Sequence, residues 1–322
     1  MPRAPAALVL LAAAVLWAVL PACTGDGGGS DSAGSGPARR IQRDPANAER
    51  PAIVIGAKEF TEQFILAEIY VQALKAAGYR VTHRTIAGDE RAASRELRQN
   101  GIHAYPEYTG TALTSLYGEA PEKVPRDARQ AYEQARRRFA GDGLTALPPT
   151  PFTNSNGFAM RQEDATSLGV TTLSSLSGKA QKLVLSGPPE CARRAECRLG
   201  LERVYNIRFG TFRPVAIAAR HQPLADGDAD VAVVFTTDGQ IRTENLTLLE
   251  DDKAMLPPNN VTLVVRTEAL RNAGPGLAQI VSDVQQGLTT PVMQELNSRV
   301  DLDGETPELA ATSYLRDAGY IE

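Results

Sequence analysis

Tryptophan is almost missing: of 322 residues only Trp17 is one, and it lies in the apolar N-terminal run. Cysteine and histidine are scarce, with three of each. His83, His103 and His221 have no metal-ligand spacing. Cys191 and Cys197, without a second pair or a nearby histidine, make a poor zinc site. No Gly-x-Ser-x-Gly elbow, phosphate-cradling P-loop or Rossmann glycine fingerprint occurs. An enzyme would therefore lack its nucleophile–base pair or its nucleotide site, and nothing calls for a cofactor or a metal. An excess of one charge is missing too. Lys and Arg number 34 against 38 Asp and Glu, interspersed, with no basic stripe for nucleic acid. Beyond the N-terminus no apolar run is long enough to span a bilayer.

What is present begins with a leader. Residues 1–22 carry one early charge, Arg3, then an apolar core over 6–20, ending at Leu20-Pro21-Ala22-Cys23. Such a run with small residues at its end reads as a signal peptide. The cysteine directly after Leu-Pro-Ala resembles a bacterial lipobox, in which Cys23 becomes a diacylated N-terminus. Pro21 departs from the usual residue there, so an ordinary secretory signal with an incidental cysteine is the plainer alternative. Two acyl chains would hold a protein stably on a membrane. Residues 23–50, rich in Gly, Ser, Asp and Ala, cannot bury enough apolar surface to offset ordering entropy and read as a flexible tether. In an exported chain, Cys191 and Cys197 read as a disulfide closing a small loop.

From residue 51 onward, strand-like and helix-like segments alternate. Strands are predicted at 52–55, 80–85, 157–161, 182–185, 231–235 and 262–266. Helices are predicted at 64–77, 89–100, 125–140, 199–205, 276–287, 291–299 and 308–318. Val231-Ala232-Val233-Val234-Phe235 has no charge to mark an exposed face, as expected of a strand covered on both sides. The alternation argues for an α/β class with mainly parallel sheets. Pro148-Pro149 and Pro257-Pro258 are natural crossing points between two lobes. Two crossings imply a discontinuous lobe I, residues 51–150 and 260–322, and a lobe II of residues 151–259.

The most telling motif is Tyr105-Pro106-Glu107-Tyr108-Thr109-Gly110-Thr111, read with Lys58-Glu59-Phe60-Thr61-Glu62-Gln63 upstream. It suggests a Pro/Gly-punctuated turn carrying Tyr108 and Thr111, with a cation and an amide just after a strand. An aromatic face suits a cationic head, and Lys58 with hydroxyl donors suits a carboxylate. Gly110 would let the backbone approach a ligand closely. Taken singly, each has a plainer reading. A loop lysine is usually solvated, Thr61 can simply cap a helix, Gln63 can lie on a solvent face, and Tyr108 can be half-buried in a surface turn.

Together these motifs resemble the substrate-binding proteins of bacterial glycine betaine/choline (osmoprotectant) ABC importers. The resemblance extends through Thr153-Asn154-Ser155-Asn156-Gly157-Phe158-Ala159-Met160, through Asp228-Ala229-Asp230-Val231 to Phe235-Thr236-Thr237-Asp238-Gly239, and through Leu249-Glu250-Asp251-Asp252-Lys253 to Pro257-Pro258-Asn259. It implies a type II periplasmic-binding-protein fold, two-lobed, with the ligand in the cleft between lobes. It further implies an extracytoplasmic, lipid-anchored receptor that closes on a small zwitterion and delivers it to an ABC permease and ATPase, without nucleic acid and as a monomeric domain.

The family surrounds a trimethylammonium group with four tyrosines. Carried over residue by residue, those positions are Tyr108, Asn156, Phe235 and Asn259. Each ring around a desolvated cation is worth roughly 0.5–2 kcal/mol, so losing two costs about 1–4 kcal/mol. The asparagines favour a primary or secondary amine, with N–H groups to give, over a methylated one. The positions that grip the ligand carboxylate correspond to Lys58, Thr111 and Arg194, with Gln63 beside them. A receptor for an amino acid or other small polar zwitterion, or a sensor lipoprotein without transport, remains the alternative. Arg193 and Arg194 as plain surface charges, and Glu250-Asp251-Asp252 as a solvated charge run, are the plainer readings of those segments.

Overall fold

The structure, a computed structural model, describes residues 40–322. The leader, Cys23 and the tether as far as residue 39 lie outside the described residues. Two five-stranded sheets organise the chain from residue 51 onward. The first contains β1 (Ile53–Lys58), β2 (Val81–Ile86), β3 (Ala104–Tyr108), β4 (Leu144–Ala146) and β10 (Val261–Arg266), in the order β2-β1-β3-β10-β4. The second contains β5 (Asn156–Arg161), β6 (Val184–Gly187), β7 (Thr211–Pro214), β8 (Val231–Phe235) and β9 (Leu246–Leu248), in the order β7-β6-β8-β5-β9.

The sheets are mixed, not mainly parallel. β1 pairs in parallel with β2 and β3, and β6 with β7 and β8. β10 runs antiparallel to β3 and β4, and β5 to β8 and β9. The cause lies in the crossings. β3 and β8 run towards the seam between the sheets and end there, at Tyr108 and Phe235. β5 and β10 begin just after the chain has crossed, so they can only run away from the seam. Their first residues pair with the last residues of the strands they meet, Asn156 with Phe235 and Val261 with Tyr108.

The stretch around Tyr105 is not a turn. Ala104–Tyr108 is a strand in the middle of the first sheet, buried throughout, and Pro106 sits inside it opposite Leu263. A proline normally argues against a central strand because it donates nothing to the ladder. Here the ladder to β1 is registered at a single pair, Ile55 with Ala104, and ends before Pro106. The chain then coils through a short helix, Thr109–Thr111, and a wide turn, Ala112–Leu116.

Helix Thr61–Ala76 lies at the heart of the first lobe, with Ile65, Leu66, Ile69, Tyr70 and Leu74 buried. It packs against helices Gly276–Gln286, Thr290–Asp301 and Pro307–Asp317, all from the end of the chain. Leu97, Ile102, Tyr105 and Phe139 form the core on the other face of the first sheet. Phe158, Met160, Leu185, Leu201 and Val233 form that of the second lobe.

The expected tether ends before residue 50. Asp44 caps the turn Pro45–Glu49 by accepting from Ala46 N at 2.9 Å. Ile41 N donates to Tyr320 O and Asp44 N to Ala77 O, at 3.0 and 3.1 Å. The buried Asn47 adds a bond from Nδ2 to Ala77 O. Gly78 makes this docking possible: its φ is +98°, and a Cβ there would lie 2.6 Å from Asp44 O. Composition misjudges this segment because backbone and amide donors, with Ile41 packed against the core, hold it despite its polar make-up.

The crossing strands lie side by side. Thr153 bridges Asn260, Asn154 N donates to Asn259 O, and Ser155 Oγ donates to Pro257 O. Pro148-Pro149 precedes this seam, still alongside β10: Leu147 N donates to Leu263 O and Thr150 N to Val261 O.

Candidate functional site

The strand ends from both sheets meet around one cleft of about 990 Å³. Lys58 ends β1, Tyr108 ends β3, Phe235 ends β8, Asn156 begins β5, and Asn259 precedes β10. All five line it, together with Thr111 and Arg194. This is the carboxyl-end crevice in which α/β proteins bind their ligands. Gln63 does not line it. Its side chain is fully buried in the first lobe, where Oε1 accepts from Lys58 N at 3.5 Å and Nε2 has no partner.

Lys58 plays a different part from the one expected of a free anion grip. Its Nζ lies 2.8 Å from Glu107 Oε1, and both side chains are buried. Glu107, wholly enclosed in β3, needs a cation, and Lys58 supplies it. The same ammonium lies 4.9 Å from the Tyr108 ring centroid. Asn259 is likewise engaged: its Oδ1 accepts from Thr111 N at 2.9 Å. Gly110 admits Asn259 and not a ligand, since a Cβ there would lie 2.7 Å from Asn259 Oδ1 and 2.8 Å from Pro258 O.

Glu62 is the candidate site residue that sequence reasoning most plainly misses. In the first turn of helix Thr61–Ala76, it lines the cleft and is only 3 % exposed. Oε1 accepts from Tyr108 OH at 2.7 Å and Asn154 Nδ2 at 3.0 Å, and Oε2 from Asn297 Nδ2 at 3.3 Å. Burial, followed by the negative charge of Glu62, pushes the Tyr108 phenol well above its ordinary pKa. Tyr108 is therefore a neutral donor. Phe60 stacks on it at 6.3 Å between ring centroids.

On the second lobe the missed group is Arg220. Its Nε and Nη2 donate to the two oxygens of Asp238 at 2.7 and 2.5 Å, and its guanidinium lies 4.8 Å from the Phe235 ring centroid. His221 Nε2 lies 2.9 Å from Asp238 Oδ2, which also accepts from Phe235 N. Burial pushes the Asp238 carboxyl up, but hydrogen bonds from His221 and Arg220, with the guanidinium charge, outweigh it and hold the pKa below the usual value. Arg194 is exposed to the cleft from a loop closed by the Cys191–Cys197 disulfide, whose Cα atoms are 5.2 Å apart.

The two sides differ in charge. The first lobe brings Glu59, Glu62, Asp89, Glu90 and Asp301 against Lys58. The second brings Arg194 and Arg220 against Glu196 and Asp238. Among the described residues no group of three or more His, Cys, Asp or Glu is placed to hold a metal. The acidic run is not simply solvated either. Asp251 accepts from Tyr205 OH, Met255 N and Leu256 N, fixing the approach to the second crossing.

Comparison with known proteins agrees with this geometry. The glycine-betaine-binding protein of Pseudomonas aeruginosa is 31% identical over 282 residues, covering 84% of this chain and 89% of the relative. The carnitine transport binding protein OpuCC of Listeria monocytogenes is 26% identical over 280 residues, covering 85% and 89%. A solved structure described as a glycine betaine/carnitine/choline ABC transporter superposes with a TM-score of 0.79 at 25% identity, covering 84% of this chain and all of that one. Residues 51–317 match the family described as the substrate binding domain of the ABC-type glycine betaine transport system, and the chain belongs to that family.

Proposed function

We propose that this chain is the extracytoplasmic receptor of an ABC importer, closing its two lobes on a small zwitterion and handing it to a permease. Residues 51–150 with 260–322 form one jaw and residues 151–259 the other. Cys23 carries the lipid anchor, and residues 24–39 link it to the folded domain. The observation that carries the reading is the cleft itself. It takes strand ends from both sheets, places aromatic rings beside carboxylates on one side, and sets two arginines on the other. Relatives are named for glycine betaine and carnitine, each a carboxylate joined to a trimethylammonium group.

Contacts to both jaws exist together only when the lobes are closed, so ligand shifts the population towards that form. A second reading, a receptor for an amino acid or other small polar zwitterion, is favoured by Asn156 and Asn259 at two positions where the family carries rings. Calorimetric titration of the domain with betaine, choline, carnitine, ectoine and amino acids tests both. Small-angle scattering should show compaction with the ligand that binds. Tyr108→Ala and Arg194→Ala should each weaken that ligand without unfolding the protein. Unchanged affinity in both variants would remove the site assignment.

A further inference from the structure

Glu62 is a buried carboxylate with no ion-pair partner among the described residues; its neighbours Tyr108, Asn154 and Asn297 are all neutral donors. Such a charge is expensive to bury unless a cation arrives. Its two oxygens are unequal. Oε1 already holds two donors, while Oε2 holds only the long bond from Asn297, which leaves it a lone pair open; the Tyr108 that bonds Oε1 is stacked on Phe60 at the cleft wall. Across the cleft the aromatic wall is closed. Phe235 has the Arg220 guanidinium against its ring, so a face that could hold a methylated cation is covered by a cation of the protein's own.

We propose that Glu62 is the counter-ion for the ligand's cationic end, and that this end is an ammonium bearing at least one N–H. The inference rests on the reading of the cleft as a zwitterion site and narrows it. A trimethylammonium group would meet one aromatic wall and could give nothing to Oε2. A primary or secondary ammonium donates to Oε2 and keeps its contact with Tyr108, while the ligand's carboxylate faces Arg194, Arg220 being already paired with Asp238.

Glycine betaine, N,N-dimethylglycine, sarcosine and glycine share one carboxylate and differ only in the methyls on nitrogen. Calorimetry across this series should find the tightest binder among those with an N–H, by about tenfold or more over glycine betaine. Glu62→Gln keeps an acceptor for Tyr108 and Asn154 but removes the charge. It should weaken the tightest binder by roughly 10–100-fold, the scale of a hydrogen bond to a charged group. Glu62→Asp, which keeps the charge, should lose less. Glycine betaine binding tightest, or an unweakened Glu62→Gln, would overturn the inference and leave the cleft reading standing. Equal losses in both variants across the series, with a lowered melting midpoint, would show a structural role only and overturn it too. If no member of the series binds, the inference falls, and the wider panel of carnitine, ectoine and amino acids decides the zwitterion reading.

Discussion

Gly239 of the second lobe presses on Ser298 of helix Thr290–Asp301 in the first. A Cβ at Gly239 would lie 2.6 Å from Ser298 Cα and 2.7 Å from its Cβ and N. The neighbouring carbonyls are held by the same helix: Gln294 Nε2 donates to Thr236 O and Asn297 Nδ2 to Thr237 O, each at 2.8 Å. Together these make a bearing between the lobes, distinct from the crossing strands. Gly239→Ala tests it cleanly because the backbone there is helical, with φ −62° and ψ −33°. Alanine adopts that conformation readily and is the better helix former, so local propensity predicts a slight gain. The steric argument predicts the opposite. Two of the three contacted atoms are backbone, so the new methyl must push the helix away by several tenths of an ångström or more. Overpacking of this kind costs about 1–3 kcal/mol. For a chain of this size that lowers the melting midpoint by roughly 2–10 °C. Ser298→Gly in the same chain removes only one of the three contacts and should restore only part of the loss. A Gly239→Ala protein that melts at or above the wild-type midpoint would refute the bearing.

Lys58→Met should destabilise the fold by about 3–5 kcal/mol, because it strands the enclosed Glu107 charge, and Lys58→Met with Glu107→Leu should recover most of that in urea unfolding. A Lys58→Met protein that unfolds like wild type but binds weakly would return Lys58 to the role of a free ligand grip. Replacing Cys191 and Cys197 by serine opens a seven-residue loop worth about 2 kcal/mol by chain entropy. It should also free Arg194, so calorimetry should show weaker ligand binding; full affinity in the double variant would show that Arg194 needs no such tie. Asp238 has a folded pKa below its ordinary value, so the stability it adds is full above about pH 3.9, the unfolded value, and fades as pH falls through the lower folded value. The stability gap between wild type and Asp238→Asn should therefore be widest at neutral pH and narrow below about pH 4; a gap that is constant from pH 7 to 3 would contradict the pairing.

The elements that sequence makes legible are those whose signal is local. Apolar runs mark β1, β5, β8 and β10, and helix Thr61–Ala76 follows from its Leu, Ala and Glu content and the Gly78 stop. β3 is misread because Pro106 sends a strong local signal for a turn, whereas its strand character comes from β10, more than 150 residues later. At the cleft, Tyr108, Thr111, Asn156, Arg194, Phe235 and Asn259 are reachable through motif resemblance. Their engagements are not. Nothing near Lys58 in sequence announces Glu107 as its partner, and nothing marks Arg220 as the residue that will lie on Phe235. Glu62 stands within the most telling motif, but a glutamate at a helix start has an ordinary explanation in the helix dipole. Only its burial beside three neutral donors sets it apart.

The division of charge across the cleft limits which ligands can work. The first jaw brings mainly carboxylates with the Phe60 and Tyr108 rings, and the second brings arginines with the Phe235 ring. Moving a receptor from about 1:99 closed to 99:1 takes ~5.5 kcal/mol of preference for the closed form. A hydrogen bond to a charged group supplies about 1.5–3 kcal/mol, so two such contacts reach that range and one does not. A ligand carrying only a cation or only a carboxylate would multiply the closed-to-open ratio by roughly 10–150, leaving the population mostly open or near balance. On the proposed closure, a molecule with both charges, reaching Glu62 and Arg194 together, is therefore the kind of ligand expected to hold these lobes shut.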